Sequence, residues 1–564
     1  VDSAGPQHGN GRDRLKRGSE VMQTNTAAAL RAWADLVGPD NVVTAPEELS
    51  AAERGTFTTG NRIPAIVKPA NTREVQECLR IANRFGTAMY PVSGGKNYGY
   101  GSRVPAASGS VLLDLSRMNR IIDFSEDLAY VTVEPGVTQA QLFAFLQERG
   151  SRLWMDATGA SPYSSIVGNA VERGFGHTPY GDHFALSCGL EVVLPTGEVV
   201  DTGFARFPGA AAAPVYRWGV GPCLDGLFSQ SNLGVVTRMT AWLMPAPEYF
   251  QAYYFRTEDA DGLAPLIEAL RPLRLAGTIR SASHIANDYK VVQALQQYPW
   301  EQTGGQTPLS GQTMADLRRE LRIGCWNGSG ALYGTKAQVK EARRLLRAAL
   351  KGKASRLQFM DDRFLAMASR FAKPFEWITG WNLSRTLAVL GPVYGLMKGV
   401  PTDHPLSSTY WRKRQPPTGT LDPDRDGCGL LWCSPVAPTS GVHARRLTEY
   451  ATSIILDHGF EPAISITMIT DRSLACIISL AYDREIAGED ERAASCYRDL
   501  LGRLGAEGYH SYRLSIAGMS AMEGSPAYSE FLGLLKQTVD PAGILSPGRY
   551  IAPSPVTTSV RNSR

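Results

Sequence analysis

The eight cysteines of this 564-residue chain form no Cys-x-x-Cys pair, which argues against a zinc ribbon or a redox dithiol. No apolar run approaches the length needed to cross a bilayer, so no membrane span is expected. Charge of neither sign dominates: 58 Lys and Arg face 54 Asp and Glu, a net +4. With no basic run interleaved with aromatics, nothing calls for nucleic acid. The stretch 1–25 is polar and rich in Gly, Arg and Ser. It lacks the apolar core of a secretory signal and reads as a flexible tail. Residues 553–564 read the same way. Val1 leaves the true start open, and Met22 is a candidate initiator. The compartment is likewise open for what is expected to be a soluble protein.

What remains is ordinary globular composition, 43% apolar and 20% charged, on a chain long enough for two or more domains. Helical spacing over 27–37 and 72–85, with an Asn71/Thr72 start, alternates with strands at 65–67, 111–114 and 130–133. Past Pro245 strands and helices recur at 250–255, 262–270, 331–333, 337–351, 430–433, 443–458 and 463–469. This pattern suggests a second, antiparallel sheet backed by helices. The chain closes with a helix at 490–505, a short strand at 512–515 and a helix at 528–539. The Pro- and Gly-rich piece 415–427 reads as an inserted loop. Cys78, Cys476 and Cys496 read as small buried hydrophobes.

The densest signal is Pro91-Val92-Ser93-Gly94-Gly95-Lys96-Asn97-Tyr98-Gly99-Tyr100-Gly101. Without Cβ atoms at Gly94, Gly95, Gly99 and Gly101 the backbone can bring its N–H groups against a pyrophosphate. Such a cluster is also an ordinary tight turn, and it is neither G-x-G-x-x-G nor a P-loop. Further glycine-rich segments follow: Val133-Glu134-Pro135-Gly136-Val137, then Gly168-Asn169 to Gly174-Phe175-Gly176, then Thr178 to His183. Residues 187–198 read as strand, turn and return strand.

Together these segments resemble the flavoenzymes typified by vanillyl-alcohol oxidase and the flavoprotein of p-cresol methylhydroxylase, over about residues 40–552. The resemblance implies an α+β, two-domain FAD-binding fold with a substrate-covering cap. An FAD-binding part at 26–265 is followed by the cap at 266–504, and a return segment at 505–552 rejoins the first part. It implies FAD contacts at Pro91, Ser93, Gly94, Gly95, Lys96, Asn97, Gly99, Gly101, Glu134, Pro135, Gly136, Val137, Ser161, Gly168, Asn169, Gly174, Tyr180, Gly181, Glu191, Val236 and Arg549. Tyr100, Tyr512 and Arg513 stand where the family binds a phenolic oxygen. Two phenol hydroxyls and a guanidinium suit that task, because an ionised phenol with a para-alkyl group loses hydride readily and the site must hold its oxyanion. Taken without the resemblance, Tyr512 and Arg513 read as an edge-strand tyrosine and a surface arginine.

The chain departs from the family in three places. No histidine precedes Leu430-Leu431-Trp432-Cys433-Ser434-Pro435, and Tyr410 falls one place late for a tyrosyl link, so FAD is expected to be noncovalent with Tyr410 as the alternative tether. Ser161 takes the position of the acid/base group beside the flavin, and Asp156 matches a structural acid. Ile466, Ala475 and Cys476 replace more polar residues expected along the side-chain end of the pocket. The implied activity is oxidation of a para-substituted phenol through a quinone methide, with O₂ or a cytochrome-like carrier as acceptor and a homodimer as the assembly. The alternatives are oxidation of another small alcohol or hydroxy acid on the same fold, and a flavin-binding homologue with impaired catalysis.

Overall fold

In the computed structural model the described residues are 25–379, 383–522 and 524–552. The tails expected at 1–25 and 553–564, Met22 among them, lie outside these apart from residue 25, which opens a helix over 25–37. Trp33 of that helix is fully buried and donates its indole N–H to Cys78 O at 3.1 Å, docking it on the helix Thr72–Phe85. The second helix starts where a cap exists: Asn71 accepts the Glu74 N–H at 3.0 Å, and it ends at Gly86 with φ 63°.

Behind these helices lies a four-stranded sheet in the order Val42–Val43, Ile66–Val67, Val111–Asp114, Met89–Val92, its last three strands parallel. A five-stranded antiparallel sheet follows in the order Ile121–Ser125, Tyr130–Val133, Val235–Trp242, Ser187–Val193, Val199–Asp201. The third sheet is eight-stranded and antiparallel. Its path runs Arg356–Met360, Tyr249–Thr257, Trp326–Gly334, Ser283–Asn287, Ile464–Met468, Ser473–Asp483, Cys428–Cys433, with Val436–Pro438 also on Ser473–Asp483. Because Tyr249–Thr257 belongs to this sheet, the change of sheet falls earlier than residue 265.

Four helices, Leu263–Leu275, Lys336–Leu350, Gly441–Asp457 and Glu489–Ala506, cover one face of the large sheet and form its core. The other face turns toward the two smaller sheets, and the site lies between them. Ile466 and Cys476 are fully buried in the helix-side core, and Ala475 is not on the cavity wall. Ser465, Thr467 and Ile477 face the cavity instead. Ile466 and Cys476 are therefore corrected by one step of the strand period, while Ala475 shares the Ile477 face without reaching the cavity.

The stretch 512–515 is not a strand: Ser511 makes an isolated bridge to Pro435 and the chain then turns into a short helical segment Ile516–Met522. Beyond it the return segment rejoins the first sheet, where Met89 N–H donates to Ile544 O at 2.8 Å and Ser546 N–H to Met89 O at 2.8 Å. No helix among the described residues is long and apolar enough to cross a membrane.

Candidate active site

The turn after Met89–Val92 is held by contacts that only glycine permits. A Cβ on Gly94 would lie 3.1 Å from Tyr163 O, and Gly95 has φ 65°. Asn97 O accepts the N–H of Tyr100 at 3.0 Å and of Ser102 at 3.1 Å, which curls the chain and sends Tyr100 inward. The short helix Ile166–Val171 is capped by Ser165 Oγ, which accepts Gly168 N–H at 2.8 Å, and Gly168 packs directly under the Ser93 hydroxyl.

These pieces bound a cavity of about 580 Å³. Of the expected residues, Pro91, Ser93, Gly94, Gly95, Lys96, Asn97, Tyr100, Pro135, Gly168, Asn169, Gly174, Val236, Tyr512, Arg513 and Arg549 line it. Others shape the wall from behind. Gly99 backs onto Trp432 and Gly101 onto Ile516, while Gly136 sits under the carbonyls of Leu115, Ser116 and Met118. Val137 is in the apolar core beneath. Glu134 is taken up by Arg120 at 2.7 Å. Glu191 accepts from Thr72 Oγ1 at 2.7 Å and Thr237 Oγ1 at 2.8 Å, which turns it away from the cavity. Gly181 closes the 176–181 turn and Tyr180 faces a smaller neighbouring void.

Two expectations need correction on their geometry. Ser161 is buried off the wall, where its hydroxyl accepts Tyr163 N–H at 3.1 Å as a turn cap. Thr158, Gly159 and Ala160 occupy the wall there. Tyr410 points away, donating to Asp426 Oδ2 at 2.6 Å, and its neighbours Ser408 and Thr409 line the cavity in its place. On the strand Cys428–Cys433, Leu430 and Trp432 face the cavity while Leu431 and Cys433 enter the opposite core.

At one point on the wall Tyr100, Tyr512 and Arg513 converge. The Arg513 guanidinium lies over the Tyr100 ring, 4.3 Å from its centroid. Its Nη2 donates to Asn97 Oδ1 at 2.6 Å, and Nε stands 3.7 Å from Glu172 Oε2 with no hydrogen-bond partner. The Tyr100 hydroxyl lies 3.3 Å from Ser434 Oγ, and Tyr512 is wedged edge-on against Phe175. Burial pushes the Tyr100 phenol up, opposed by Arg513, and Tyr512 up further, so both are protonated donors at neutral pH. Burial alone would raise Glu172, but Arg549, Arg513 and the Tyr550 hydroxyl more than offset it and hold the carboxyl below its usual range.

A second set of wall residues carries no motif and escaped the sequence reading. His177 donates Nδ1–H to Ala157 O at 3.1 Å and stacks 5.1 Å from His284. The Nε2 atoms of His284 and His404 are buried without a partner. Burial pushes His284 down to about 3, and His177 in the same direction. Lys290, on the helix Asp288–Leu295, stands 5.0 Å over the Trp432 ring. His177 falls between the segments 168–176 and 178–183 read for their glycines; for Lys290 the sequence offers no signal.

Comparison with known proteins gives this fold and its glycine-lined cavity their class, the flavin-dependent oxidoreductases. Residues 63–203 match the FAD binding domain family. The chain is 45% identical to 1'-carboxy-chondrochloren decarboxylase of Chondromyces crocatus, over 93% of this chain and 96% of that one. It is 30% identical to the 4-cresol dehydrogenase [hydroxylating] flavoprotein subunit of Pseudomonas putida, over 94% and 96%. The 4-ethylphenol oxidase of Gulosibacter chungangensis, solved with isoeugenol, superposes with a TM-score of 0.85 at 29% identity, covering 94% of this chain and 98% of that one. The chain belongs to the vanillyl-alcohol oxidase/p-cresol methylhydroxylase family of FAD-dependent oxidoreductases.

The wall fits that cofactor. Gly94 and Gly95 leave backbone where a Cβ would intrude, and Ser164 Oγ is a buried polar atom with no partner in the protein. Lys96 and Arg549 supply positive charge on the same wall.

Proposed function

We propose that the protein oxidises a para-substituted phenol at its benzylic carbon. The observation that carries this reading is the convergence of Tyr100, Tyr512 and Arg513 on one point of the cavity wall, with the guanidinium 4.3 Å over a phenol ring. Two protonated phenols donate to a bound phenolate and the guanidinium offsets its charge, so the ionised form is favoured in a buried site. Ionisation lets the ring oxygen push charge toward the para position as hydride leaves. FAD, when bound, supplies the two-electron acceptor for that hydride. The resulting quinone methide is resolved by water to a benzylic alcohol or by proton loss to an alkenyl phenol. A substrate already hydroxylated gives the aldehyde or ketone.

A second outcome at the same site is favoured by the 45% identity to a protein named as a decarboxylase. In a quinone methide whose side chain carries a carboxylate on the carbon next to the benzylic one, CO₂ is lost in place of a proton. The pair of the breaking C–COO⁻ bond becomes the side-chain double bond, and the exocyclic pair of the quinone methide returns to the ring as phenolate.

Arg513→Ala should slow anaerobic flavin reduction by a 4-alkylphenol roughly a hundred- to a thousand-fold while FAD stays bound. The O-methyl ether of a good substrate should be inert. An ether that reduces the flavin as fast as the phenol would sink this reading and favour oxidation of another small alcohol.

FAD is proposed to be held noncovalently, since Leu430 and Gly429 offer no nucleophile and Tyr410 is turned to Asp426. Acid precipitation should leave the colour in the supernatant. A flavin adduct on a peptide containing Tyr410 or His404 would overturn that. Oxygen consumption during turnover decides between O₂ and a carrier protein as acceptor.

A further inference from the structure

Among the described residues each cation on the cavity wall stands near a carboxylate except Lys290. Lys96 pairs with Asp422 at 3.2 Å and Arg549 with Glu172 at 3.1 Å. Arg513 is bonded to Asn97 at 2.6 Å and faces the same Glu172. The Lys290 ammonium has neutral partners only, Gln293 Oε1 at 3.1 Å and Ser479 Oγ at 3.0 Å, and among the described residues no carboxylate pairs with it. An ammonium has three donors, and a buried cation without a counter-ion is costly to keep. Burial pushes it down only to about 8, so it is mainly charged at neutral pH.

Its place relates it to the phenol site. Trp432, beneath the ammonium, faces the cavity two residues before Ser434, whose hydroxyl meets Tyr100. Ser479, which holds Nζ, is the register partner of Trp432. The ammonium and the phenol-oxygen site thus open on one cavity, with Trp432 and Ser434 on the wall between them.

We propose that Lys290 is the receptor for an acidic group on the para side chain, so that the natural substrate is a para-substituted phenol bearing a carboxylate. The inference rests on the phenol reading above and narrows its substrate class.

Isothermal titration of the FAD-loaded protein with three probes tests it: 3-(4-hydroxyphenyl)propanoate, 4-propylphenol and 3-phenylpropanoate. Lys290→Met should weaken both acids about tenfold to a hundredfold and leave 4-propylphenol within about twofold, and Lys290→Arg should recover most of the loss. Lys290→Gln, which keeps a donor toward Ser479, replaces the Met variant if that one fails to fold. Equal weakening of all three probes, unchanged binding of the acids, or loss of FAD from the folded variants would overturn the proposal. If 3-phenylpropanoate binding depends on Lys290 while 4-propylphenol does not bind at all, Lys290 keeps its role and the phenol reading falls.

Discussion

At Asp156 burial and hydrogen bonding pull the carboxyl in opposite directions. Burial raises it, while His183 at 2.9 Å and the Thr178 N–H at 2.7 Å lower it by more, leaving it below its usual range. A carboxyl depressed on folding contributes stability that is fully present above its unfolded pKa, near 3.9, and is lost as pH falls through the lower folded value. Asp156→Asn should therefore cost about 1–3 kcal/mol at neutral pH, and the gap to the parent should narrow in denaturant melts as pH falls below the ordinary carboxylate range. His284 runs the other way. Its folded value, about 3 against an ordinary 6.5, means the unfolded chain takes up the proton first. Stability should fall as pH drops from 6.5 toward 3, by at most about 1.4 kcal/mol per pH unit for this group. His284→Gln should flatten that slope in melts between pH 7 and 5; an unchanged slope would place the titration elsewhere.

Local cues made the helices readable, and faces are what they could not supply. The helix Thr72–Phe85 was legible because Asn71 caps it and Gly86 ends it. The Ser187–Val193 and Val199–Asp201 pair was legible because its turn residues sit between β-rich runs. The expected strand at 512–515 fails for a reason composition hides: pairing stops at the isolated Ser511–Pro435 bridge, and the chain turns into the helical segment Ile516–Met522. The resemblance alone puts Ile466 and Cys476 at the pocket, whereas the strand Ile464–Met468 alternates apolar with polar and it is its Ser465/Thr467 face that meets the cavity. The turn Pro91–Gly101 was the most legible part of the site, since its glycines are imposed by geometry. At Gly95, with φ 65°, valine is strained and its Cβ would collide with Arg103, which pairs with Asp114 at 2.7 Å. Asparagine tolerates that backbone region far better. Gly95→Val should purify with little flavin and Gly95→Asn with more, because asparagine eases the backbone strain while keeping the Cβ that meets Arg103, read as flavin absorbance per protein. Equal, full loading of both would detach the turn from cofactor binding.

The cavity is assembled from pieces distant in the chain: Tyr100, Glu172, Lys290, Ser434 and Arg549 all stand on its wall. Closure depends on the return segment, which is fixed by buried polar bonds as well as by apolar packing. Lys536 Nζ donates to Asn232 O and to Leu545 O at 2.9 Å and pairs with Asp540, all deep in the protein. Arg549 then reaches Glu172 at 3.1 Å and Leu514 O at 3.2 Å, linking the return segment to the helix Ile166–Val171 and to the phenol site. A ligand touching all of these pieces stabilises the chain as one unit, by about 2.7 kcal/mol when present at a hundred times its Kd. Thermal melts of flavin-stripped protein should therefore show one transition that climbs as FAD is added back. Arg549→Met leaves the partly buried Glu172 with Arg513 and the Tyr550 hydroxyl, which lowers stability, and it removes positive charge from the cofactor wall. Its transition should begin lower and respond less to FAD than the parent's. A variant that melts with the parent at every FAD concentration would mean that the return segment closes the fold without holding the cofactor.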